Sequence, residues 1–424
     1  MFTYRAFLKK SLTIFGLFLL AVFIWMLLKY FKPVEKIKIK SSLYDEVKIL
    51  NIDGKTFRDL NKNNKLDIYE DHRLSAVKRS EDLIDKMHLE EKIGQMFHPP
   101  FILRPDIWMF IYEMAIRGNK STESQILFDN ISHFNLYGNP SPLELAEQIN
   151  NFQKLAARTR LGIPITISSD PIHEVPKGGG VASFSLDGFS KWPSQLGFAA
   201  TNNPQIIQNF AEIAKKEYLA VGIRTALHPM SDLATEPRWA RNFGTFGSNA
   251  ALSNDMTLSY MKGFQGNKIN NQSVLTMVKH FPGGGPQEKG LDPHLFSGKN
   301  QIYPGNNFNY HLVPFKGAIK NNLKVIMPYY GIPVSQTNED VAMAYNKYIL
   351  TNLLREELGF KGVICSDWGI ITGRHWGVSS LSISERYEKS INAGIDQYGG
   401  ESDTSFLLEL VKDKKISVER INES

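Results

Sequence analysis

An alternation of short apolar runs with amphipathic helical stretches constrains the fold of this 424-residue chain more than any other feature. The apolar runs fall at 93–97, 131–137, 163–169, 223–228, 274–280, 325–330, 363–367 and 393–398. Between them lie helical patterns such as 142–160, 204–221 and 338–357. A strand-then-helix order calls for parallel strands joined by crossover helices. Eight such units predict closure, so the fold class expected is α/β, a TIM-type (β/α)8 barrel. Catalytic residues of such barrels collect where the strands end.

Those strand ends are unusually charged. Val363, Ile364 and Cys365 run straight into Ser366, Asp367 and Trp368. Burying an unpaired carboxylate costs on the order of several kcal/mol, so an aspartate there needs a reason. An aspartate beside a tryptophan suits sugar chemistry, because indole stacks on a pyranose face while the carboxylate meets the anomeric carbon. An aspartate capping the next helix is the plainer alternative. The run 274–278 ends in Lys279 and His280, followed by Phe-Pro and Gly283–Gly285. The run 163–169 ends in Asp170, and the segment after 223–228 carries Glu236-Pro-Arg-Trp-Ala-Arg241.

With these four motifs in this order, from about Leu60 to the last residue, the chain resembles glycoside hydrolase family 3, whose barrel domain carries them. The resemblance implies hydrolysis of terminal, non-reducing β-D-glycosidic bonds by a retaining mechanism. It makes Asp367 the nucleophile, and places Asp170, Arg241, Lys279 and His280 on the terminal sugar, matching the family residue by residue. Trp368 and Tyr330 are candidate stacking walls. A β-glucosidase is the activity expected, with β-xylosidase and β-N-acetylglucosaminidase as neighbouring alternatives. Two-domain members draw the acid/base glutamate from a second, sandwich domain, so a separately encoded C-terminal sandwich domain is a candidate partner. Single-domain β-N-acetylglucosaminidases of the family use an Asp-x-His pair instead. Here Gly290-Leu-Asp292-Pro-His294 offers His294 as acid/base and Asp292 as its orienter. The same loop followed by Tyr303-Pro-Gly305 also shapes the pocket of two-domain relatives. A catalytically impaired barrel or a sugar-binding module is the competing class. A phosphate site at Gly283–Gly285 is disfavoured, since Pro286 follows where a helix N-terminus would be needed.

The remainder of the sequence bears on location and metal. Residues 11–28 carry no charge for eighteen positions, ~27 Å of helix at ~1.5 Å per residue. Arg5, Lys9 and Lys10 precede them, and no small-x-small cleavage site follows. These features predict a cytoplasmic 1–10, a transmembrane signal anchor at 11–28, a linker at 29–58 and the catalytic domain at 59–424. Lys29, Lys32, Lys36, Lys38 and Lys40 after the span blur the orientation, and it is the family resemblance that implies a domain outside the cytoplasm on a single-pass membrane protein. The segment 59–70 places Asp59, Asn61, Asn63, Asp67 and Glu70 at EF-hand positions 1, 3, 5, 9 and 12, with Asn64 where glycine is usual. A structural calcium is therefore one reading and an Asx-rich turn before a helix at 75–87 the other; no other cofactor is expected. The net charge of +6 gathers around the N-terminal apolar segment, without a basic stripe to suit nucleic acid. The single cysteine, Cys365, excludes internal disulfides.

Overall fold

The computed structural model describes residues 13–18, 20–21, 42–103, 120–174 and 185–424. Its strands, in chain order, are β1 (Lys48–Ile52), β2 (Lys55–Asp59), β3 (Phe97–His98), β4 (Pro100–Ile102), β5 (His133–Tyr137), β6 (Thr166–Ser169), β7 (Ile223–Ala226), β8 (Leu275–Phe281), β9 (Asn300–Gln301), β10 (Val325–Pro328), β11 (Ile332–Pro333), β12 (Val363–Ile364) and β13 (Tyr398–Gly399). β1 and β2 form an antiparallel hairpin ahead of the 59–70 loop. The central sheet is parallel and has seven strands, in the order β12-β10-β8-β7-β6-β5-β4.

This corrects the expected (β/α)8 barrel: the continuous ladder is an open half-barrel. Two local preferences account for the difference. The run 93–97 is mostly helical, because His88 and Glu91 form a capping box that starts a helix at Leu89–Gln95. Of the run 393–398, most is loop after the helix Ile383–Ala393; Gln397 makes one isolated parallel bridge to Cys365, and Tyr398–Gly399 pairs with β3 in a separate two-stranded unit. The membrane expectation is corrected as well. No helix among the described residues is long and apolar enough to cross a membrane, which overturns the predicted anchor and the single-pass localisation. Of 11–28, only 13–18 and 20–21 are described, and they are helical; the rest, with 1–10, lies outside the described residues.

Helix boundaries follow local chemistry. Pro204–Val221 opens with Pro at its first turn and the Asn203 side chain accepting from the Gln205 amide. It closes on Gly222, whose φ of 93° suits a residue without a Cβ. Its buried Ile207, Phe210, Ala211, Ala214, Tyr218 and Val221 recur at helical spacing and face the sheet. Ser75 caps Ala76–Lys86, and Ser141 with Glu144 forms a capping box on Pro142–Ala157.

Strand alternation divides the apolar residues into two cores. Ile167, Ile223, Val278, Ile326 and Ile364 face the helices and join the large cluster. Leu227, Met277, Val325, Met327 and Cys365 face inward and form a small plug with Leu275 and Val363, against which Trp368 packs.

Gly263 shows how tightly the helical layer is set. A Cβ there would meet the Ala211 side chain and stand 2.7 Å from the Gln208 carbonyl oxygen on the neighbouring helix. Alanine gains about 1 kcal/mol of helix propensity over glycine, but overpacking costs about 1–3 kcal/mol. Gly263→Ala is expected to lower stability by up to about 2 kcal/mol net, read as a reduced midpoint in urea unfolding.

Candidate active site at the C-terminal ends of the strands

The period of two that builds the inner plug also aims the charged residues. On β8, Leu275, Met277 and Lys279 share one face; from β12 onward, Val363, Cys365 and Asp367 do the same; at the end of β6, Ser168 leads to Asp170. Each charged side chain is the next inward position beyond the apolar ones. They meet in a pocket of about 100 Å³ over the plug, lined by Asp170, Arg241, Lys279, His280, His294 and Asp367. Tyr330, Trp368, Asn135, Tyr137 and Arg374 complete its walls. Leu227 and Met327 form its apolar floor.

Asp170 and Lys279 are both buried and form an ion pair of 2.8 Å between Oδ1 and Nζ. Asn135 Nδ2 reaches Asp170 Oδ2 at 3.5 Å. Asp367 is buried too. Its Oδ1 accepts the Trp368 amide at 2.8 Å, whereas its Oδ2 has no hydrogen-bond partner among the described residues. His280 Nε2 lies 3.7 Å from that oxygen. Tyr330 turns its hydroxyl away to the Trp368 carbonyl at 2.9 Å, and its ring is packed edge-on by His294 and faced by the Arg374 guanidinium. Trp368 is half-buried, and its indole Nε1 is buried without a partner among the described residues.

Arg241 is held from beneath by Tyr329, whose hydroxyl accepts from Nη1 at 3.1 Å. Burial opposes its charge, but the Tyr329 oxygen and the carboxylates of Asp292, Asp367 and Asp232 outweigh it and raise its pKa. Asp292 Oδ1 accepts from the His294 amide at 2.9 Å and pairs with His294 Nδ1. Its Oδ2 accepts from Trp239 Nε1 at 2.8 Å and faces the Tyr329 hydroxyl at 3.4 Å. Burial would raise the Asp292 pKa; His294 and Arg241 reverse this and hold it well below the carboxylate range. The loop bearing His294 is pinned a second time by Trp376 Nε1, which donates to the Pro293 carbonyl at 2.8 Å.

Every sugar-site residue expected from sequence thus reaches one pocket, with Asp292 just behind His294. Sequence reasoning missed Asp232, Tyr329, Asn135 and Arg374. Asp232 is fully buried and accepts from the His280 ring and from the Gly284 amide. Its signal was faint, a carboxylate four residues after the run 223–228 and ahead of the Glu236–Arg241 motif. The expected metal loop lies apart from the pocket. Asp59 accepts the amides of Asn63 and Asn64 at 3.0 and 2.9 Å, and Asn64 takes the left-handed φ of 61° that position 6 demands. Glu70 accepts the amides of Leu60, Asn61 and Asp67, while Asn61 and Asn63 donate to Asp67. Among the described residues, no group of three or more His, Cys, Asp or Glu side chains is placed to hold a metal ion.

The parallel strands of this α/β fold thus end in paired acids and bases around one small polar pocket. The chain belongs to glycosyl hydrolase family 3, whose N-terminal domain profile matches residues 88–424. It is 45% identical over 368 residues to a probable beta-glucosidase C of Aspergillus flavus, covering 84% of this chain and 57% of that protein. It is 38% identical over 402 residues to a periplasmic beta-glucosidase/beta-xylosidase of Dickeya chrysanthemi, covering 89% of this chain and 61% of that one. Among solved structures, a family 3 beta-N-acetylglucosaminidase from Paenibacillus shares the fold at a TM-score of 0.66 and 22% identity, covering 80% of this chain and 60% of that one. The chain spans about three-fifths of the length of these curated relatives.

The buried Asp170–Lys279 pair makes a stability prediction. Removing one partner strands the other charge, at about 3–5 kcal/mol, whereas removing both can be nearly neutral. Lys279→Met is expected to destabilise by about that amount, and adding Asp170→Asn should restore most of it in chemical unfolding. Equal, additive losses would mean the pair is not coupled.

Proposed function

We propose that this chain carries the glycosyl-binding half of a retaining, exo-acting β-glycosidase of the β-glucosidase type. One observation carries the reading. Asp367 Oδ2 is buried with no hydrogen-bond partner among the described residues and is directed into the pocket. An unsatisfied buried acceptor costs about 1–3 kcal/mol, so a fold retains one where a ligand uses it. The names of the relatives, beta-glucosidase C and beta-glucosidase/beta-xylosidase, point the same way.

In this reading the terminal sugar sits over the plug with Trp368 and Tyr330 as walls. Asp170 accepts from its hydroxyls, Lys279 and Arg241 donate to them, and His280 makes a further contact. The small, charged pocket suits one ring at a chain end. Asp367 Oδ2 attacks the anomeric carbon as the glycosidic C–O bond breaks, and the leaving oxygen takes a proton. Within this chain the donor is His294. Its Nδ1 is engaged by Asp292, which leaves Nε2 to deliver that proton. Water then loses a proton to the same nitrogen and attacks the anomeric carbon, releasing Asp367 and a product of retained configuration.

The test is hydrolysis of aryl β-glucosides by the full chain, with anomeric configuration followed by proton NMR. Retention is expected, and Asp367→Asn should lower kcat on the order of 10³-fold or more. His294→Ala should lower it on the order of 10²–10⁴-fold for a poor leaving group and much less for dinitrophenolate, which departs unprotonated. A uniform small effect across leaving groups would assign the proton to another chain, such as a separately encoded sandwich domain. Failure of folded protein to turn over even the activated glycoside would favour a sugar-binding module.

A further inference from the structure

Asp232 lies outside the pocket and is completely buried, yet four hydrogen-bond contacts converge on it. The His280 backbone amide approaches Oδ1 and Oδ2 at 3.2 and 3.3 Å, the Gly284 amide donates to Oδ1, and His280 Nδ1 lies 2.7 Å from Oδ2. Two of the donor groups are backbone N–H and cannot change role. The Gly284 N–H takes Oδ1 as its acceptor, and the His280 N–H is shared between Oδ1 and Oδ2. Burial would raise the Asp232 pKa, but His280, the Gly284 N–H and Arg241 together keep it low and the group ionised.

That constraint passes to the imidazole. Facing an oxygen that can only accept, Nδ1 must carry the proton. Burial lowers the His280 pKa, with Arg241 in the same sense and Asp232 and Asp367 opposing. The ring therefore stays neutral near pH 7, and Nε2 shows its lone pair to the pocket. The groups around the ring are Asp232 at Nδ1, Asp367 at 3.7 Å from Nε2, the Arg241 guanidinium, Lys279 next in the chain, and the Tyr329 ring at 4.3 Å between centroids.

We propose that Asp232 is a positioning residue that sets the His280 tautomer, so that Nε2 accepts a sugar hydroxyl and leaves the Asp367 oxygen uncontested. Held the other way round, an Nε2–H would donate to Asp367 Oδ2, occupy the attacking lone pair and lose the hydroxyl contact. Lys279 and Arg241 can only donate, so His280 supplies an acceptor beside the nucleophile that neither of them can. The inference rests on the reading of the pocket as a glycosyl subsite.

The alternative is that Asp232 merely braces the Gly283–Gly285 turn, and one substitution separates the two. In Asp232→Asn the amide oxygen is claimed by the Gly284 N–H, so the NH₂ faces His280 Nδ1 and drives the proton to Nε2. Side-chain ¹⁵N NMR of histidine-labelled full chain should show His280 as the neutral Nδ1–H form at pH 7, and as Nε2–H in Asp232→Asn. Glucoside kcat should fall on the order of 10²-fold or more, as for other tautomer-inverting substitutions, with retained circular dichroism. On a His280→Gln background the same substitution should cost less than about threefold, the residual expected when one residue acts through another. A wild-type Nε2–H form or imidazolium at pH 7 would overturn the proposal. So would equal losses from Asp232→Asn with and without His280, as a brace requires. Should the chain prove inactive on every glycoside, the catalytic reading fails, while the wild-type spectrum still decides the tautomer.

Discussion

Everything at this site depends on the two-residue period of its strands. Leu275 and Met277 commit Lys279 to the inner face, and Val363 and Cys365 commit Asp367. A slip of one residue would turn both charges toward the helices and bring Val278 and Ile364 into the pocket. The apolar plug is thus the register mark of the site as well as its floor. It is thin, made chiefly of Leu227, Met277, Val325, Met327 and Cys365, so the charges stand directly on it.

Collecting so many ionisable groups in a buried place is tolerable only because almost all of them are answered. Lys279 neutralises Asp170, the two backbone amides and His280 satisfy Asp232, and His294 with Trp239 satisfies Asp292. Arg241 sits among three of the carboxylates and lowers the energy of each. Once these pairings are made, one carboxylate oxygen at the end of β12's inner face, that of Asp367, has no partner among the described residues. The polar frame leaves that single oxygen available to the pocket.

Much of this was legible in the sequence, and the parts that were not have a common cause. Asp170, Lys279, His280 and Asp367 announce themselves because each follows an apolar run, so local pattern and function coincide. Asp232 and Tyr329 act through partners about fifty residues or more away, His280 for the first and Arg241 for the second, and no local spacing encodes such contacts. The first and last expected strands failed for a different reason. At 93–97 a capping box started by His88 and Glu91 outcompetes strand formation, and at 393–398 Gly394 and the helix end before it leave Gln397 a single bridge to Cys365 and Tyr398–Gly399 a short pairing with β3. Closure of the barrel was inferred from counting runs, and counting does not reveal which of them reach the ladder. The apolar stretch 11–28 read as an anchor by composition alone, whereas no helix among the described residues is long and apolar enough to cross a membrane.

The most direct test of the account is to incubate the full, folded chain with a 2-deoxy-2-fluoro-β-glucoside bearing a dinitrophenolate leaving group. That leaving group needs no proton, so the measurement isolates the nucleophile from its acid partner. The account predicts a mass increase of one fluoroglucosyl unit, mapped by peptide sequencing to Asp367 and absent from Asp367→Asn. A label on any other carboxylate, or none on protein shown to be folded, would contradict it.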